Sequence, residues 1–221
     1  MESISISKIV SCHTCPVRFV IEQKQKKDAE PENYTIAKQI SYHLGEELIP
    51  ENIWEEIEMI NPEMDNEAKE LFSSWIDSCK KTRWPRASQT DVRVKSDKLK
   101  IHGTIDRFFN SKPQIAIARP ITAPENGIYT ADRIRAACYS ICAGEHFGTE
   151  FDEVIIEYIP SGISRICKPQ PRDRRYALNA IKTAHKIKSG FIPKKPENAP
   201  CTRCYLKEQC PTIPKRLSDI I

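Results

Sequence analysis

The nine cysteines of this 221-residue chain are unevenly distributed, and five of them lie near its two ends. Cys201, Cys204 and Cys210 form a Cys-x2-Cys-x5-Cys-Pro pattern, while Cys12 and Cys15 form a Cys-x2-Cys pair near the start. Two thiolates at this spacing can reach one metal centre, and an iron–sulfur cluster or a zinc ion needs four ligands. The spacing therefore predicts a metal centre that joins the two ends of the chain.

Two sets of ligands are compatible with this pattern. A 4Fe-4S cluster would be held by Cys15, Cys201, Cys204 and Cys210, which leaves Cys12 without a ligand role. A zinc ion would instead take the two Cys-x2-Cys pairs, without Cys210. A proline follows both Cys15 and Cys210, a pattern similar to iron–sulfur ligation, so the cluster is favoured. Zinc, or thiols without any metal, stay as alternatives.

The four remaining cysteines lie in the middle of the chain among apolar residues: Cys79, Cys138, Cys142 and Cys167. They are expected to be small buried side chains. The opening residues show neither the basic nor the apolar region of a secretory signal, and no apolar run approaches the roughly 18–20 residues of a membrane span. We therefore expect a cytoplasmic protein without a membrane partner, in which the cysteines form no disulfide framework.

The net charge of +4 conceals two regions of opposite charge. Residues 27–70 contain 13 acidic and 3 basic side chains, whereas residues 161–221 contain 14 basic and 4 acidic ones. A strongly basic region is typical of a surface that binds a polyanion such as nucleic acid. Alternatively, the two regions attract each other within the fold, and the charges alone favour neither interpretation.

The hydrophobic pattern divides the chain into a helical first third and an α/β remainder. Apolar residues at helical spacing predict helices over 5–22 (with a break near Pro16), 34–44, 50–60, 62–81, 130–145 and 172–188. Alternating apolar and polar residues predict strands over 92–94 and 98–109, and a short apolar run predicts one over 114–118. A second hairpin is predicted over 154–159 and 163–167, with a turn at Pro160-Ser161-Gly162. Strands on both sides of one long helix predict an α/β fold with a mixed sheet.

Several of these motifs together resemble a known family. The run from Cys15 to Phe19 and the C-terminal cysteines resemble the iron–sulfur-stapled RecB-like nucleases, especially the CRISPR-associated exonucleases, of the PD-(D/E)XK superfamily. The stretch from Gly103 to Asp106 resembles the Gly-x-x-Asp that ends a strand in this family. His43 and Tyr139 fall where the family has a helical histidine and the tyrosine of its Gln-x-x-x-Tyr motif.

The resemblance spans nearly the whole chain and implies a restriction-endonuclease-like α/β core with a mixed sheet. It implies a single RecB-like nuclease domain over residues 1–221. Within it, residues 1–81 would form a helical part and residues 88–190 the nuclease core. Residues 191–221 would form, with Cys15, an iron–sulfur cap that joins both termini.

The same resemblance implies a chemistry and partners. In such nucleases Mg²⁺ or Mn²⁺ activates a water and neutralises charge on the phosphate during phosphodiester hydrolysis. Here Asp106 and His43 would hold the ion, and Tyr139 would lie at the catalytic site. The partners would be DNA, in particular single-stranded DNA, and proteins of CRISPR adaptation.

The chain departs from this family at the second half of the active site. The family needs Glu-x-Lys on the next strand, because residues two apart project from one face. At this place the sequence has Ala116 and Ala118, and Arg135 replaces the glutamine of the helical motif. One carboxylate and the lysine of the expected site are therefore missing from that strand.

A neighbouring segment could supply the missing groups. Glu125, in the loop after the strand, or Asp132, at the start of the next helix, could replace the carboxylate. Arg119 or Lys112 could replace the lysine. Each has a simpler explanation, since Glu125 suits a turn and Asp132 suits the positive end of a helix.

Three functions remain open from the sequence. The absence of Glu-x-Lys favours a DNA-binding and processing protein that has lost cleavage. The alternatives are an active Mg²⁺- or Mn²⁺-dependent single-stranded DNA exonuclease with a migrated carboxylate, and a zinc-stapled structural protein. The last helix favours the two nucleic-acid functions, because it contains many basic residues: Arg172, Arg174, Arg175, Lys182, Lys186 and Lys188.

Overall fold

The computed structural model describes residues 2–25 and 30–211. Within these ranges the helices are α1 (Ile6–Thr14), α2 (Pro16–Lys24), α3 (Glu32–His43), α4 (Pro50–Ile60), α5 (Asn66–Lys80), α6 (Thr130–Phe147) and α7 (Pro171–Lys188). The strands are β1 (Ile4–Ser5), β2 (Gln89–Ser96), β3 (Ile101–Phe109), β4 (Gln114–Arg119), β5 (Val154–Tyr158) and β6 (Ile163–Cys167). The predicted α/β organisation with a mixed sheet is confirmed. Among the described residues, no helix combines the length and the apolar character needed to cross a lipid bilayer.

The predicted break in the first helix is confirmed, and it lies at Cys15. This residue is extended and separates α1 from α2. Pro16 then occupies the first turn of α2, where its missing N–H costs no helical hydrogen bond, and it disfavours a helical residue before it. The proline thus sets Cys15 apart from both helices at the corner between them.

The start of the fifth helix was predicted too early, at residue 62. The helix begins at Asn66, because the side chain of Asp65 accepts a hydrogen bond from the backbone N–H of Ala68 at 2.8 Å. This contact caps the first turn and leaves the residues from Pro62 onward outside the helix. The other helix ends differ from the predicted ones by at most two residues.

The sheet is organised around β3. Strand β2 pairs antiparallel with β3 along most of its length, from Ser96–Ile101 to Gln89–Phe108. The opposite edge of β3 is shared: β1 pairs parallel with its start, and β4 pairs antiparallel with its end. Strand β5 is parallel to β4, and β6 is antiparallel to β5. The long helix α6 makes the crossover between the parallel strands β4 and β5, as parallel pairing requires.

Helices cover the sheet with two separate hydrophobic cores. The larger core combines the sheet with α1, α6 and α7, and the smaller one combines α3, α4 and α5 with Ala118 of β4. The four mid-chain cysteines are buried as predicted. Burial raises their pKa values to about 11 for Cys167 and about 12 for the other three, so they are neutral thiols at physiological pH.

A buried ion pair fixes α3 against the sheet. Arg107 of β3 lies 2.5 Å from Glu157 of β5, and both side chains are at most 1% exposed. Ser41 of α3 donates a hydrogen bond to Glu157 at 3.1 Å, and Arg107 donates to the carbonyl of Leu44 at 2.7 Å. Since an unpaired buried charge is costly, these contacts hold α3 in a defined position beside β3 and β4.

Candidate functional site

Asp106 lies at the point where β3 and β4 separate. The ladder between these strands includes Phe109, Phe108 and Arg107 of β3 and continues no further toward Asp106. The backbone N–H of Ala118 donates instead to Oδ2 of Asp106 at 2.8 Å. On the other edge of β3, the register of β2 places Asp91 opposite Asp106, and Asp91 has a left-handed φ of 55°. Both ladders are thus irregular at this carboxylate.

The Asp106 carboxyl group is buried inside the protein. It is 1% exposed, and its Oδ1 atom has no hydrogen-bond partner in the described structure. Burial raises its pKa to about 7, against the lowering effects of the Ala118 N–H and of Lys38. An ordinary aspartate has a pKa of about 3.9. Asp106 is therefore divided between its protonated and charged forms at neutral pH.

One face of α3 lies over Asp106 and Asp91. Tyr34, Lys38 and Tyr42 are spaced four residues apart and so lie along one side of the helix. The Lys38 ammonium is 2.9 Å from Oδ1 of Asp91, and the Tyr42 hydroxyl donates to the same oxygen at 2.7 Å. Asp91 is thus already bound by two groups from α3.

Tyr34 connects this face to the rest of the site. Burial raises the pKa of the Tyr34 hydroxyl, the charge of Asp106 raises it further, and the charge of Arg135 lowers it. Tyr34 thus lies within electrostatic reach of both groups.

Tyr139 meets β3 at the glycine of the Gly-x-x-Asp motif. A Cβ atom on Gly103 would lie 2.7 Å from Cε1 and 2.9 Å from the hydroxyl of Tyr139. Only a glycine leaves room for this ring. Burial raises the pKa of Tyr139, and the Asp106 charge raises it further. The structure thus brings together two of the three predicted catalytic residues, Asp106 and Tyr139.

His43 occupies a different face of α3. It follows Tyr34 by nine residues, which turns it by about 180° around the helix axis. Its Nε2 atom lies 2.9 Å from Oε2 of Glu56 on α4. The geometry therefore gives no support to His43 as a ligand beside Asp106.

Asp132 and Arg119 meet near the end of β4. Asp132, in the first turn of α6, is buried, and its Oδ1 atom lies 2.6 Å from Nε of Arg119 and 3.7 Å from Nε of Arg135. The hydroxyl of Tyr158 donates to Oδ2 of Asp132 at 3.1 Å. The Asp132 carboxylate is therefore engaged by two arginines and a tyrosine.

The other two proposed substitutes lie in solvent. Glu125 is exposed, and its contact with the rest of the protein is through its backbone carbonyl, which accepts a hydrogen bond from Arg165 at 3.2 Å. The Lys112 side chain is 77% exposed and lies 4.0 Å from Glu153. The structure does not place either side chain beside Asp106.

The residues around Asp106 do not fit a divalent cation. Mg²⁺ and Mn²⁺ prefer several oxygen ligands in octahedral geometry. Asp106 offers one open oxygen, Asp91 is bound by Lys38 and Tyr42, and β4 contributes the methyl groups of Ala116 and Ala118. Within residues 2–25 and 30–211, no three His, Cys, Asp or Glu side chains lie close enough together to hold one metal ion.

A second candidate site lies at the junction of the two chain ends. Cys15, Cys201, Cys204 and Cys210 line one cavity of about 80 Å³. Its lining also contains three cations and no carboxylate: Thr14, Arg18, Ile21, Lys195, Ala199, Pro200, Arg203 and Leu206 complete it. The four cysteines predicted as cluster ligands therefore line a common space, although no three of these described side chains lie within reach of a single metal ion.

Side-chain contacts dock the cap onto α2. The Tyr205 hydroxyl donates to Glu22 at 2.7 Å, and the Arg18 guanidinium lies 4.7 Å above the Tyr205 ring. Gln25 donates to Gln209 at 2.9 Å. Leu206 is buried. These contacts bring the C-terminal cysteines to the corner at which Cys15 stands. The part of the predicted cap beyond residue 211 lies outside the described residues.

Cys12 is separated from this cavity. It is 1% exposed and belongs to the larger hydrophobic core, where burial raises its pKa to about 12. A zinc ligand must be a thiolate about 2.3 Å from the ion. The zinc set, which requires Cys12, fits the structure less well than the cluster set.

Comparisons with known proteins identify the fold. The sequence matches no protein-family model and no curated protein. The structure is similar to the crystal structure of a protein from Eubacterium rectale described as a putative exonuclease. The match has a TM-score of 0.62 and covers 98% of this chain and 91% of that one, with 11% identical residues. The chain therefore shares the α/β fold of that protein.

Proposed function

We propose that this protein binds nucleic acid through a nuclease-like fold and does not hydrolyse it by the metal-dependent route of that fold. The observation that carries the proposal is the surroundings of Asp106. Ala116 and Ala118 stand where a carboxylate and a lysine are needed, and Asp106 uses one oxygen to bind the Ala118 N–H. Two carboxylates on diverging strands would be required to hold the metal ion that activates water.

The burial of Asp106 adds support. Its carboxyl group is 1% exposed, whereas a protein-bound Mg²⁺ usually keeps several of its waters and so needs open space beside its ligand. The similar fold of a protein described as an exonuclease supports nucleic acid as the ligand class. Single-stranded DNA as the preferred form, and a connection with CRISPR adaptation, rest on the sequence resemblance.

Helix α7 offers a surface for the phosphate backbone. Five basic residues of α7 are exposed, and four of them share one side of the helix: Arg172, Arg175, Lys182 and Lys186. At about 100° per residue they lie within a sector of about 80°, so they form one basic stripe. Lysine and arginine in such a row bind phosphates without regard to sequence and release counterions.

The test combines binding and cleavage on labelled single-stranded DNA. We expect binding that weakens steeply as salt is raised, and no cleavage in Mg²⁺ or Mn²⁺. Absence of salt-dependent binding would exclude the nucleic-acid function. Cleavage in Mn²⁺ that disappears in Asp106→Asn would instead establish a working hydrolytic site.

One observation favours this second function, an active exonuclease. Asp91 lies opposite Asp106 across the β2–β3 ladder, and its charge raises the pKa of Asp106. If Lys38 moved away from Asp91, two carboxylates would face one another and Lys38 could act as the cation. A matched variant, Asp91→Asn, would then abolish Mn²⁺-dependent cleavage together with Asp106→Asn.

We further propose that Cys15, Cys201, Cys204 and Cys210 hold a 4Fe-4S cluster. The support is their common cavity and its lining, in which Lys195 and Arg203 can offset part of the charge of four thiolates, while Arg18 is paired with Glu22 at 2.7 Å. Such a cluster would act as a staple between the chain ends. Iron–sulfur sites of this kind use four cysteine thiolates.

Anaerobic purification with iron, sulfide and zinc analysis tests the cluster. We expect about four irons per chain and a broad absorption band near 400 nm, both lost in Cys15→Ser. The matched control is Cys12→Ala, which removes a buried thiol outside the cavity and should retain the iron. If the protein instead contained one zinc per chain, lost in both variants, the cluster would be refuted and the zinc site that uses Cys12 would be supported.

A further inference from the structure

Two arginines converge on one carboxylate next to Asp106. Arg119 reaches it from the end of β4, and Arg135 reaches it from the second turn of α6. Both Nε atoms approach the same oxygen of Asp132. Their side chains are 15% and 13% exposed, so each is largely buried and retains an edge that faces solvent.

The charges of this group do not balance. Asp132 is a single carboxylate between two guanidinium groups, which leaves one positive charge in excess. Burial and the charge of Arg135 lower the pKa of Arg119, against the opposite effect of Asp132. Tyr158, the other partner of Asp132, is a neutral hydroxyl. An anion is the partner that such a group lacks.

Hydrogen bonds are also missing from the group. Nε of Arg119 lies 2.6 Å from Oδ1 of Asp132, a poorly aligned contact that still raises the pKa of Arg119 as a hydrogen bond does. Nε of Arg135 is buried, lies 3.7 Å from the same oxygen and has no hydrogen-bond partner among the described residues. Buried N–H groups without partners are costly in a folded protein, and a bound acceptor would satisfy them.

We propose that Arg119 and Arg135 form an arginine clamp that binds one nucleic-acid phosphate directly, without a metal ion. The proposal rests on the proposed nucleic-acid function and names the site and the chemistry of that binding. A guanidinium presents a planar fork of donors that matches two phosphate oxygens, and two such forks can hold one phosphate from two sides. Asp132 would orient both arginines.

Binding of fluorescent single-stranded DNA in the presence of EDTA tests the clamp. We expect the wild-type protein to bind equally well with and without EDTA. Arg135→Gln should weaken binding by about ten- to a hundredfold, the effect of losing a charged hydrogen-bond donor, and should reduce the salt slope by about one. Arg135→Lys keeps the charge and loses the fork, so it should recover part of the affinity.

The matched control is Arg86→Gln. Arg86 is also an arginine paired with a carboxylate, Glu46, but its side chain is 75% exposed. We expect at most a twofold change in affinity from this variant. Equal effects of Arg86→Gln and Arg135→Gln, or loss of wild-type binding in EDTA, would overturn the clamp while leaving nucleic-acid binding in place.

Wild-type protein gives an independent measurement if the Arg135 variants unfold. At low millimolar concentration, inorganic phosphate should raise the thermal midpoint in a saturable way and chloride should not, because a ligand of the native state stabilises it. The general stabilising effect of phosphate on proteins grows with concentration without saturating, so the two effects are distinguished. It should also compete with DNA. Equal midpoints in the two salts would contradict the clamp. A wild-type protein that binds no DNA, yet is stabilised by phosphate, would refute the nucleic-acid function and retain an anion site.

Discussion

The cysteine cavity and the Asp106 site differ in the side chains that they bring together. At the cavity, residues almost 200 positions apart in the chain bring four cysteine side chains to one space. At Asp106 the strands β3 and β4 diverge, and β4 contributes the methyl groups of Ala116 and Ala118. A fold can bring strands together at a site without supplying the side chains that a given reaction needs.

The largest effect is expected at the cavity. If a cluster cross-links Cys15 to the C-terminal cysteines, it closes a loop of nearly the whole chain. On the chain-entropy model its loss would cost roughly 5 kcal/mol of stability. Urea unfolding under anaerobic conditions of wild type and Cys15→Ser measures this difference. Cys12→Ala serves as the control. An equal loss of stability in both variants would mean that Cys15 does not stabilise the protein through a cross-link at the cavity.

The second prediction concerns the pH dependence conferred by Asp106. Its pKa is about 7 in the folded protein and about 3.9 in an unfolded chain. The folded state therefore binds more protons between these values, so stability falls as pH rises from about 4 to about 7. The penalty reaches roughly 4 kcal/mol above pH 7.

The variant Asp106→Asn should remove this penalty. Its amide oxygen can accept from Ala118, and it carries no charge. Compared with the wild type in urea, it should gain stability at pH 8 and show little difference at pH 4. If the free energies of unfolding of the two proteins differed by the same amount from pH 4 to pH 8, Asp106 would not be a group that titrates in this range.

The smallest effect is expected at the glycine beside Tyr139. Gly103→Ala places a methyl group 2.7 Å from the ring, so we expect a loss of about 1–3 kcal/mol. The matched control is Gly144→Ala within α6, where the nearest atom is 3.4 Å away and the helix should gain about 0.5–1 kcal/mol. Thermal unfolding separates the two, and equal effects would show that Tyr139 is not packed against β3.

Local signals in the sequence predicted much of the fold. Proline at position 16 predicted the corner at Cys15, and short apolar or alternating runs predicted strands β2 to β6, because these effects act within a few residues. Strand β1 was not predicted, since it is two residues long and Ser5 was assigned to the first helix. The buried state of the mid-chain cysteines followed from their apolar neighbours. The start of α5 was missed because Asp65, and not Pro62, caps the helix.

The surroundings of Asp106 were less accessible to sequence reasoning. Lys38 and Tyr42 were overlooked, although their spacing with Tyr34 along α3 was a readable signal. Asp91 could have been found by aligning the two strands of the hairpin around Asp106. The convergence of Arg119 and Arg135 depends on how α6 crosses from β4 to β5. No local pattern specifies such a tertiary arrangement.

The pairing of the first elements with late ones has a consequence for biosynthesis. Strand β1 pairs with β3, and α1 packs against α7. Among the described α-helices, α7 is the last to be synthesised. At 5–20 residues per second a ribosome needs roughly 10–40 s to make the intervening chain. Helices α2 and α6 and strand β3, which also contact α1, are made earlier, but the face of α1 that packs against α7 stays uncovered for this interval. This face is thus among the last to be buried, which makes the nascent chain a client for chaperones that shield apolar segments.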